Sequence, residues 1–264
     1  MISMITNLLE NRRVWILFFA ALLMWSASPV DWVNLTNEGA GSAIRSIVGS
    51  FLAPDLSPKT MGEVIQAMWI TLAYAVTALS LAIFFGLPLG LIASGVLSTD
   101  QRFVLALAVF VRAYLGMIRS IHELIWALLF VSAFGLSPAA GIIAIALPYS
   151  GIIGRIFAER LQDVPEGHIT ACQVSGASGL KLIALARIPT VLPDTISYLF
   201  YRFECAIRTA SVLSFIGLGG IGFQVHIAMS DLKFETVATL FYSLLALILI
   251  VGLIGRSVRK RLLT

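Results

Sequence analysis

The sequence predicts an all-α integral membrane protein with about six transmembrane helices, and three observations support this prediction. Of its 264 residues, 59% are hydrophobic and 12% charged, with a mean hydropathy of +0.95, whereas about a quarter of an average soluble domain is charged. The apolar runs are long and continuous, without the period-two alternation of membrane barrel strands. The net charge of +4 comes from loops and chain ends, which fits the basic bias of cytoplasmic loops better than nucleic-acid binding.

Residues 1–62 are predicted to form an N-terminal unit with one transmembrane helix and a periplasmic segment. Arg12 and Arg13 precede an apolar run over residues 14–25. This run is either an uncleaved first helix with its basic end in the cytoplasm or a secretory signal, and the membrane-embedded remainder of the chain favours the uncleaved helix. The polar part that follows has no excess of bases, which suits the periplasmic side; within it, residues 43–52 form either an interfacial amphipathic helix or a linker.

Residues 63–264 are predicted to form the membrane core with five further spans. Their approximate bounds are 63–97, 103–135, 139–157, 193–216 and 234–255. Pro88 should bend the second span, and Gly86 and Gly90 should let a neighbouring helix approach closely. We expect the first part of the third region to lie along the membrane interface. Six spans with basic ends on one side place both termini, and residues 166–189, in the cytoplasm.

The fifth span carries polar side chains at steps of three and four residues, which places them on one helix face. They are Asp194, Ser197, Tyr201, Glu204, Arg208 and Ser211. We predict that this face points inward and that Glu204 and Arg208 form an ion pair, because a charge at the bilayer centre costs about 2.5–3.5 kcal/mol. The face either lines a polar path or locks helices together. Arg119 and Glu123, with His122 beside them, offer a second face that could meet the first.

No arrangement of residues typical of an enzyme is found in the sequence. His122 and His226 are isolated, and there is no nucleophile elbow, zinc-protease motif or pair of facing carboxylates, so we predict neither catalytic residues nor a metal site. Gly217, Gly219 and Gly222 match the dinucleotide-binding spacing, but they follow an apolar helix instead of a strand. We therefore expect a tight re-entrant turn at these glycines.

Residues 166–189 form the one sizeable polar-tolerant stretch between long apolar runs. The stretch predicts a short helix, a left-handed turn at Gly176, and a second helix over residues 179–188 that Ser178 caps and Pro189 stops. A compact elbow of this kind at the cytoplasmic surface predicts contact with a soluble partner protein.

Several motifs resemble the permease subunits of ABC importers. The elbow sequence T-A-C-Q-V-S-G-A-S, followed by A-R-I-P, is similar to their coupling loop, which has E-A-A or E-A-L, three residues, G-A-S and then L-P. Other stretches resemble the phosphonate and phosphite importer permeases, in the order of that family. They are F-L-A-P-D-L-S (51–57), R-S-I-H-E-L-I-W-A-L-L-F-V (119–131), G-L-S-P-A-A-G (135–141), L-F-Y-R-F-E (199–204) and I-G-L-G-G-I-G (216–222). The resemblance covers about residue 51 to the C-terminus.

This resemblance implies a type I (MetI-like) importer permease of the bacterial inner membrane. Such a chain forms a homodimer, binds two ABC ATPase subunits that use ATP and Mg, and receives substrate from a periplasmic or surface binding protein. It works by alternating access and holds no cofactor and no catalytic site of its own. The substrate would be phosphonate, phosphite or a related oxyanion; another anion or an amino acid such as methionine is the alternative. A secondary transporter or a membrane enzyme is disfavoured, because we find no repeated halves and no reactive cluster.

The resemblance, together with the polar faces, assigns functional positions. ATPase coupling would involve Thr170, Ala171, Gly176, Ala177 and Ser178. The periplasmic gate would comprise Gly217, Leu218, Gly219, Gly220 and Gly222. The translocation path or structural ion pairs would involve Arg119, His122, Glu123, Tyr201, Glu204, Arg208 and Ser211.

The chain departs from the family pattern at four of its positions. They are Thr170 in place of Glu, His122 in place of Pro, Ala206 in place of Asn, and Leu218 in place of a small residue. Without the proline, we expect the kink at His122 to be lost. An oxyanion in a low-dielectric path needs positive charge. Because Arg119 and Arg208 are the only well-placed intramembrane cations that we identify, we expect one of them to meet the substrate.

Overall fold

The computed structural model describes residues 12–27, 40–97 and 101–263, and the regular structure in these ranges is entirely helical. The helices are α1 (Arg12–Ala27), α2 (Ala40–Leu52), α3 (Pro58–Ser94), α4 (Gln101–Ser120), α5 (Glu123–Phe134), α6 (Pro138–Gln162), α7 (Glu166–Val174), α8 (Leu180–Leu182), α9 (Ile188–Leu213), α10 (Ile221–Ser230) and α11 (Phe234–Leu263). A π turn, Ile183–Arg187, joins α8 to α9, and a 3₁₀ turn, Ser214–Ile216, follows α9.

The chain divides into two compact units, Met1–Leu52 and Ala53–Thr264. The first unit contains α1 and α2. Helix α1 coincides with the predicted first span, and its 16 residues extend about 24 Å at about 1.5 Å per residue, less than the roughly 30 Å of a bilayer core. Helix α2 includes the helix proposed for residues 43–52. Residues 28–39 of the predicted periplasmic segment lie outside the described residues.

The second unit contains five helical stretches that are long and apolar enough to cross a membrane. They are Pro58–Ser94, Arg102–Ser120, Pro138–Gln162, Leu180–Ile216 and Phe234–Arg261. Each corresponds to one of the five spans predicted for the core. The second stretch ends at Ser120, well before the predicted residue 135, and the fourth begins at Leu180, well before the predicted residue 193. The prediction of an all-helical membrane protein is therefore confirmed.

The third predicted span consists of two helices and not one. Helix α4 ends at Ser120, and α5 starts after His122, whose backbone is extended with φ −64° and ψ 141°. The Nδ1 atom of His122 accepts the backbone N–H of Leu124 at 3.2 Å, which caps α5. Across the break, the indole N–H of Trp126 donates to the carbonyl oxygen of Ile118 at 3.2 Å. The prediction that His122 removes the kink is wrong, because its extended backbone and ring cap produce the break without a proline.

The helix predicted to stop before Pro189 continues through it. The π turn Ile183–Arg187 runs directly into α9, and Pro189 occupies the first turn of that helix. Proline is compatible with a first turn because the amide hydrogen it lacks has no partner to bond within the helix there. The second helix of the elbow and the fifth span thus form one continuous helical stretch, from Leu180 to Leu213.

Helices α3 and α6 pack with their backbones in direct contact. A Cβ atom added at Gly86 would lie 2.8 Å from the carbonyl oxygen of Ser150, and one added at Gly90 would overlap the carbonyl oxygen of Gly154. The close approach predicted for Gly86 and Gly90 is confirmed. Helix α4 packs against the second half of α6, where a Cβ atom at Gly151 would meet the carbonyl oxygen of Leu115, so α3, α4 and α6 form the close-packed centre of this unit.

Candidate functional site

The predicted coupling segment is an exposed helix, turn and helix. Helix α7 ends at Val174, and Gly176 follows in the left-handed conformation with φ +84°. The backbone N–H of Ala177 donates to the carbonyl oxygen of Cys172 at 3.0 Å and closes the turn. The predicted helix, glycine turn and helix are therefore confirmed. Among the predicted coupling residues, Ala177 is half-buried, and the others are exposed: Thr170, Ala171, Gly176 and Ser178.

The second helix of the elbow starts differently from the prediction. Gly179, with φ +52°, precedes α8 and has no capping side chain, so the predicted cap by the Ser178 side chain is not formed. Ser178 contributes its carbonyl oxygen instead, which accepts the N–H of Lys181 at 3.1 Å. Val174 and Leu180, on either side of the turn, are 85% and 69% exposed. The elbow tip thus presents exposed apolar side chains.

The base of the elbow, in contrast to its tip, is tied to the membrane helices. The guanidinium of Arg187 donates to the carbonyl oxygen of Leu161 at the end of α6. Leu161, Val164 and Val191 are buried together in one apolar cluster. A displacement of the elbow tip would therefore be transmitted to α6 and α9, because the connecting segment is packed and hydrogen-bonded.

A hydrogen-bonded network in the membrane core centres on Tyr149, which is 3% exposed. The hydroxyl of Thr209 donates to Oε1 of Glu123 at 3.0 Å, and the Tyr149 hydroxyl lies 3.0 Å from Thr209 Oγ1. Because the single hydroxyl proton of Thr209 goes to the carboxylate, Tyr149 donates to Thr209. This chain of hydrogen bonds joins α5, α6 and α9. The helices with the two predicted polar faces do meet, but through Thr209 and Tyr149, which the sequence analysis did not select.

Arg202 lies beside this network, with its guanidinium carbon 4.2 Å from the centre of the Tyr149 ring. A cation over an aromatic ring gains about 0.5–2 kcal/mol. Its Nε is nevertheless the only buried side-chain nitrogen or oxygen without a hydrogen-bond partner in the part of the chain that the structure describes. An unmet donor of this kind costs about 1–3 kcal/mol. The prediction that Arg119 and Arg208 are the only well-placed intramembrane cations is therefore wrong.

The inward polar face of α9 follows a different set of positions from the predicted one. Tyr198, Arg202, Cys205 and Thr209 follow one another at steps of four, three and four residues, and Arg202 and Thr209 both contact Tyr149. Helical periodicity allows this set equally well. The predicted set, which starts at Asp194, lies on the neighbouring side of the helix. Each set contains one arginine, Arg208 in the predicted set and Arg202 in the observed one, so the sequence holds no signal that selects between the two faces.

The predicted ion pair between Glu204 and Arg208 is not formed. Arg208 is exposed and donates to the sulfur of Cys205 at 3.4 Å. Glu204 points toward α11, where a Cβ atom added at Gly252 would lie 3.5 Å from its Oε1. The two side chains diverge because one faces a neighbouring helix and the other faces the outside of the single chain.

The remaining predicted path residues are spread over several environments. Tyr201 is 49% exposed, Ser211 is buried and donates to the carbonyl oxygen of Ile207, and Arg119 is exposed at the end of α4. Asp194 pairs with Arg160 of α6 at 2.8 Å. The single chain therefore does not enclose the predicted face as a whole, and the expectation that all of it points inward is wrong.

The glycine-rich segment after α9 forms the predicted tight turn. Gly217, Gly219 and Gly220 have φ of +105°, +82° and +93°. The Tyr74 hydroxyl donates to the carbonyl oxygen of Leu218 at 2.6 Å, and the N–H of Ile221 donates to Thr71 Oγ1 at 3.0 Å. Both hydrogen bonds fasten the turn to α3.

The bulk of Leu218 is accommodated by a glycine on the facing helix. A Cβ atom added at Gly141 of α6 would lie 2.8 Å from Leu218 Cδ1. Gly222 is as tightly packed, since a Cβ atom there would overlap the carbonyl oxygen of Ser211. The segment of the predicted gate residues is thus a closely packed turn between α3, α6 and α9.

Comparison with known proteins identifies similar sequences. The profile of the family described as "Binding-protein-dependent transport system inner membrane component" matches residues 86–263. The phosphite transport system permease protein PtxC of Stutzerimonas stutzeri is 29% identical over 249 residues, which cover 94% of this chain and 88% of that protein. The phosphate-import permease protein PhnE of Mycolicibacterium smegmatis is 28% identical over 239 residues, covering 90% of this chain and 44% of that protein.

The fold also occurs among solved structures. A chain from the structure titled "Inward facing conformations of the MetNI methionine ABC transporter" superposes with a TM-score of 0.68 at 20% sequence identity. The match covers 78% of this chain and 99% of that chain. The similarity shows that the two chains share the fold of a type I importer permease.

Proposed function

The chain belongs to the family of binding-protein-dependent transport system inner membrane components, and we propose that it imports phosphite, phosphonate or a related phosphorus oxyanion at the expense of ATP. Family membership and five helices that can cross a membrane make it a multi-pass permease subunit of an ABC importer. The observation that supports the substrate class is the similarity to a phosphite permease over 94% of the chain.

We propose an assembly in which two copies of this chain bind two ABC ATPase subunits. ATP and Mg²⁺ belong to those subunits, and this chain contributes neither a cofactor nor a catalytic site. A binding protein delivers substrate on the periplasmic side. Both chain termini and the elbow, residues 166–189, lie in the cytoplasm, residues 1–62 form the N-terminal unit, and residues 63–264 form the core. Alternating access follows from rocking of the two copies as ATP is bound and hydrolysed.

The elbow is the proposed docking surface for the ATPase. Its exposed apolar side chains, Val174 and Leu180, fit contact with a partner protein. Its coupling residues surround the turn at Gly176, while Arg187 anchors the base to α6. Thr170 contributes a hydroxyl where relatives contribute a carboxylate, so the contact at this position does not depend on negative charge.

The glycine-rich turn is the proposed periplasmic gate. Its glycines adopt conformations that other residues rarely adopt, and its hydrogen bonds to Tyr74 and Thr71 couple it to α3. A movement of α3 together with α6 would therefore move the turn. The translocation path passes along α9 between the two copies of the chain, and the exposed side chains of Tyr201 and Arg208 face that space.

A second candidate substrate is inorganic phosphate. It is favoured by the similarity to the phosphate-import permease PhnE over 90% of the chain. Phosphate, phosphite and phosphonate share tetrahedral oxyanion chemistry, and the same cationic groups can bind each of them.

Uptake into vesicles tests the proposed function. The permease is reconstituted with its ATPase and binding protein, and uptake of radiolabelled phosphite, methylphosphonate, phosphate and methionine is measured with and without ATP on the cytoplasmic side. We expect ATP-dependent uptake of phosphite or methylphosphonate. Uptake of methionine alone would contradict the substrate class, and uptake that needs no ATP would contradict an ATP-driven importer.

A further inference from the structure

We propose that Arg202 is the group through which the permease binds a phosphorus oxyanion during transport, an inference that rests on the proposed function. The anion would accept hydrogen bonds from the Arg202 guanidinium at the face of Tyr149. The sequence resemblance and the similar proteins assign no such role to this residue.

The Arg202 guanidinium has a hydrogen-bond donor that is not satisfied within the chain's described residues. Arginine has five N–H donors and no acceptor, and Nε of Arg202 is buried without a partner. Within the described ranges, no carboxylate oxygen lies within 4.0 Å of this side chain. The Tyr149 hydroxyl, which donates to Thr209 on α9, does not accept a hydrogen bond from this nitrogen. An external acceptor with several oxygens would satisfy the free donors.

The other arginines of the membrane helices differ from Arg202 in their contacts or their exposure. Arg155 and Arg160 pair with carboxylates, and Arg112 and Arg187 donate to backbone carbonyl oxygens. Arg208 donates to Cys205 and is exposed. Arg119 is exposed at the end of α4, as Arg208 is on α9. Among the arginines that the structure describes, Arg202 alone has a buried side-chain nitrogen without an acceptor. Arg202 is therefore the arginine packed inside the described core whose charge is available to a passing anion.

Arg202 lies at the depth of the middle of a membrane-spanning helix. Arg202 contacts Tyr149, which lies in the middle of α6, Pro138–Gln162. At this depth a cation without a counterion is unfavourable, and a charged residue inside a membrane protein usually marks a path for ions or substrates. A guanidinium offers two parallel donors to a phosphoryl-type oxyanion, which a lysine cannot do. The Tyr149 ring holds the guanidinium plane in place between transport cycles.

A native thiol can report on anion binding. Cys205 lies three residues from Arg202 on α9, so the two side chains are neighbours on the helix surface. The chain has two cysteines, and Cys172→Ser therefore leaves Cys205 as the single thiol. In the complete reconstituted complex, the rate of Cys205 alkylation is measured with phosphite and with potassium chloride at equal ionic strength. We expect phosphite to slow the alkylation of Cys205 at least threefold in the Cys172→Ser variant. In the double variant that also carries Arg202→Gln, phosphite should leave the alkylation rate unchanged.

Transport provides the second measurement. Uptake of phosphite should fall at least tenfold in Arg202→Gln, while the complex assembles and its ATP hydrolysis still responds to the binding protein. Arg202→Lys should retain intermediate uptake, because it keeps the charge without the paired donors. Arg155→Gln is the matched control, since Arg155 forms an exposed ion pair with Glu159 on α6, and it should transport at the wild-type rate.

Each outcome decides the proposal. Wild-type uptake in Arg202→Gln, or equal protection of Cys205 in that variant, would overturn it. If Arg202→Gln instead fails to assemble, the test is the protection of Cys205 in the complex that keeps Arg202. If phosphite gives no protection there, the proposal is overturned, and Arg202 pairs with the second copy of the chain. If the otherwise unchanged complex transports none of the tested oxyanions, the proposed function fails, and protection of Cys205 by phosphite then decides the role of Arg202 separately.

Discussion

Gly90 of α3 and Gly154 of α6 face each other so closely that a methyl group at Gly90 would overlap the carbonyl oxygen of Gly154. The contact lies within the two helices that, in the proposed mechanism, move the glycine-rich turn. Close packing of this kind lets α3 and α6 behave as one rigid body, because neither backbone can approach further without a clash.

We predict that Gly90→Ala lowers the thermal stability of the purified permease complex. Overpacking of a close contact costs about 1–3 kcal/mol. Gly116→Ala on α4 is the matched control, because a Cβ atom there meets no atom within 4 Å. It should raise stability by up to about 1 kcal/mol through helix propensity. Equal melting temperatures for the two variants would show that the contact is not tight in solution.

We predict that His122→Ala weakens the start of α5. The variant loses the ring nitrogen that accepts the Leu124 N–H, and loss of such a cap costs about 1 kcal/mol. His122→Asn should restore most of this stability, since asparagine is a strong N-cap residue. His122→Pro should fold, because the φ of −64° matches the value fixed by the proline ring. Thermal unfolding of the three variants is the measurement. If His122→Ala and His122→Asn unfolded at the same temperature, the cap would not contribute to the stability of α5.

We predict that Thr209→Val destabilises the permease by about 1–3 kcal/mol, because it leaves the Tyr149 hydroxyl and the Glu123 carboxylate without their partner. Valine preserves the shape of the side chain, so the effect is specific to the hydroxyl. Thr209→Ser keeps the hydroxyl and should behave as the wild type, apart from the loss of one methyl group. The variants are compared by thermal unfolding. If Thr209→Val were as stable as Thr209→Ser, the hydrogen-bonded network would make no contribution to stability.

We predict that Gly176→Val uncouples ATP use from transport without unfolding the spans. Gly176 has φ +84°, which a β-branched residue rarely adopts. Gly167→Val is the matched control in the same elbow: Gly167 has open space around it and no positive φ. Uptake per ATP hydrolysed should fall for Gly176→Val and stay near wild type for Gly167→Val. Unaltered coupling in Gly176→Val would count against the docking role of the elbow.

The sequence was sufficient to predict the features that depend on local residue type. Apolar length determined the spans, and the glycines at Gly86, Gly90 and Gly176 marked a close contact and a left-handed turn. The choice of helix face in α9 could not be made in this way, because two sets of positions satisfy the same periodicity. Only the packing of Tyr149 against Arg202 distinguishes them. The kink at His122 was also missed, since it results from a histidine cap in place of the usual proline.

The central claim is that this chain couples ATP hydrolysis by partner subunits to the import of a phosphorus oxyanion. The most direct measurement is the ATPase activity of the reconstituted complex with its binding protein, scanned over phosphite, methylphosphonate, phosphate and methionine. We predict stimulation by phosphite or methylphosphonate above the rate without substrate. Stimulation by methionine and by none of the oxyanions would contradict the claim.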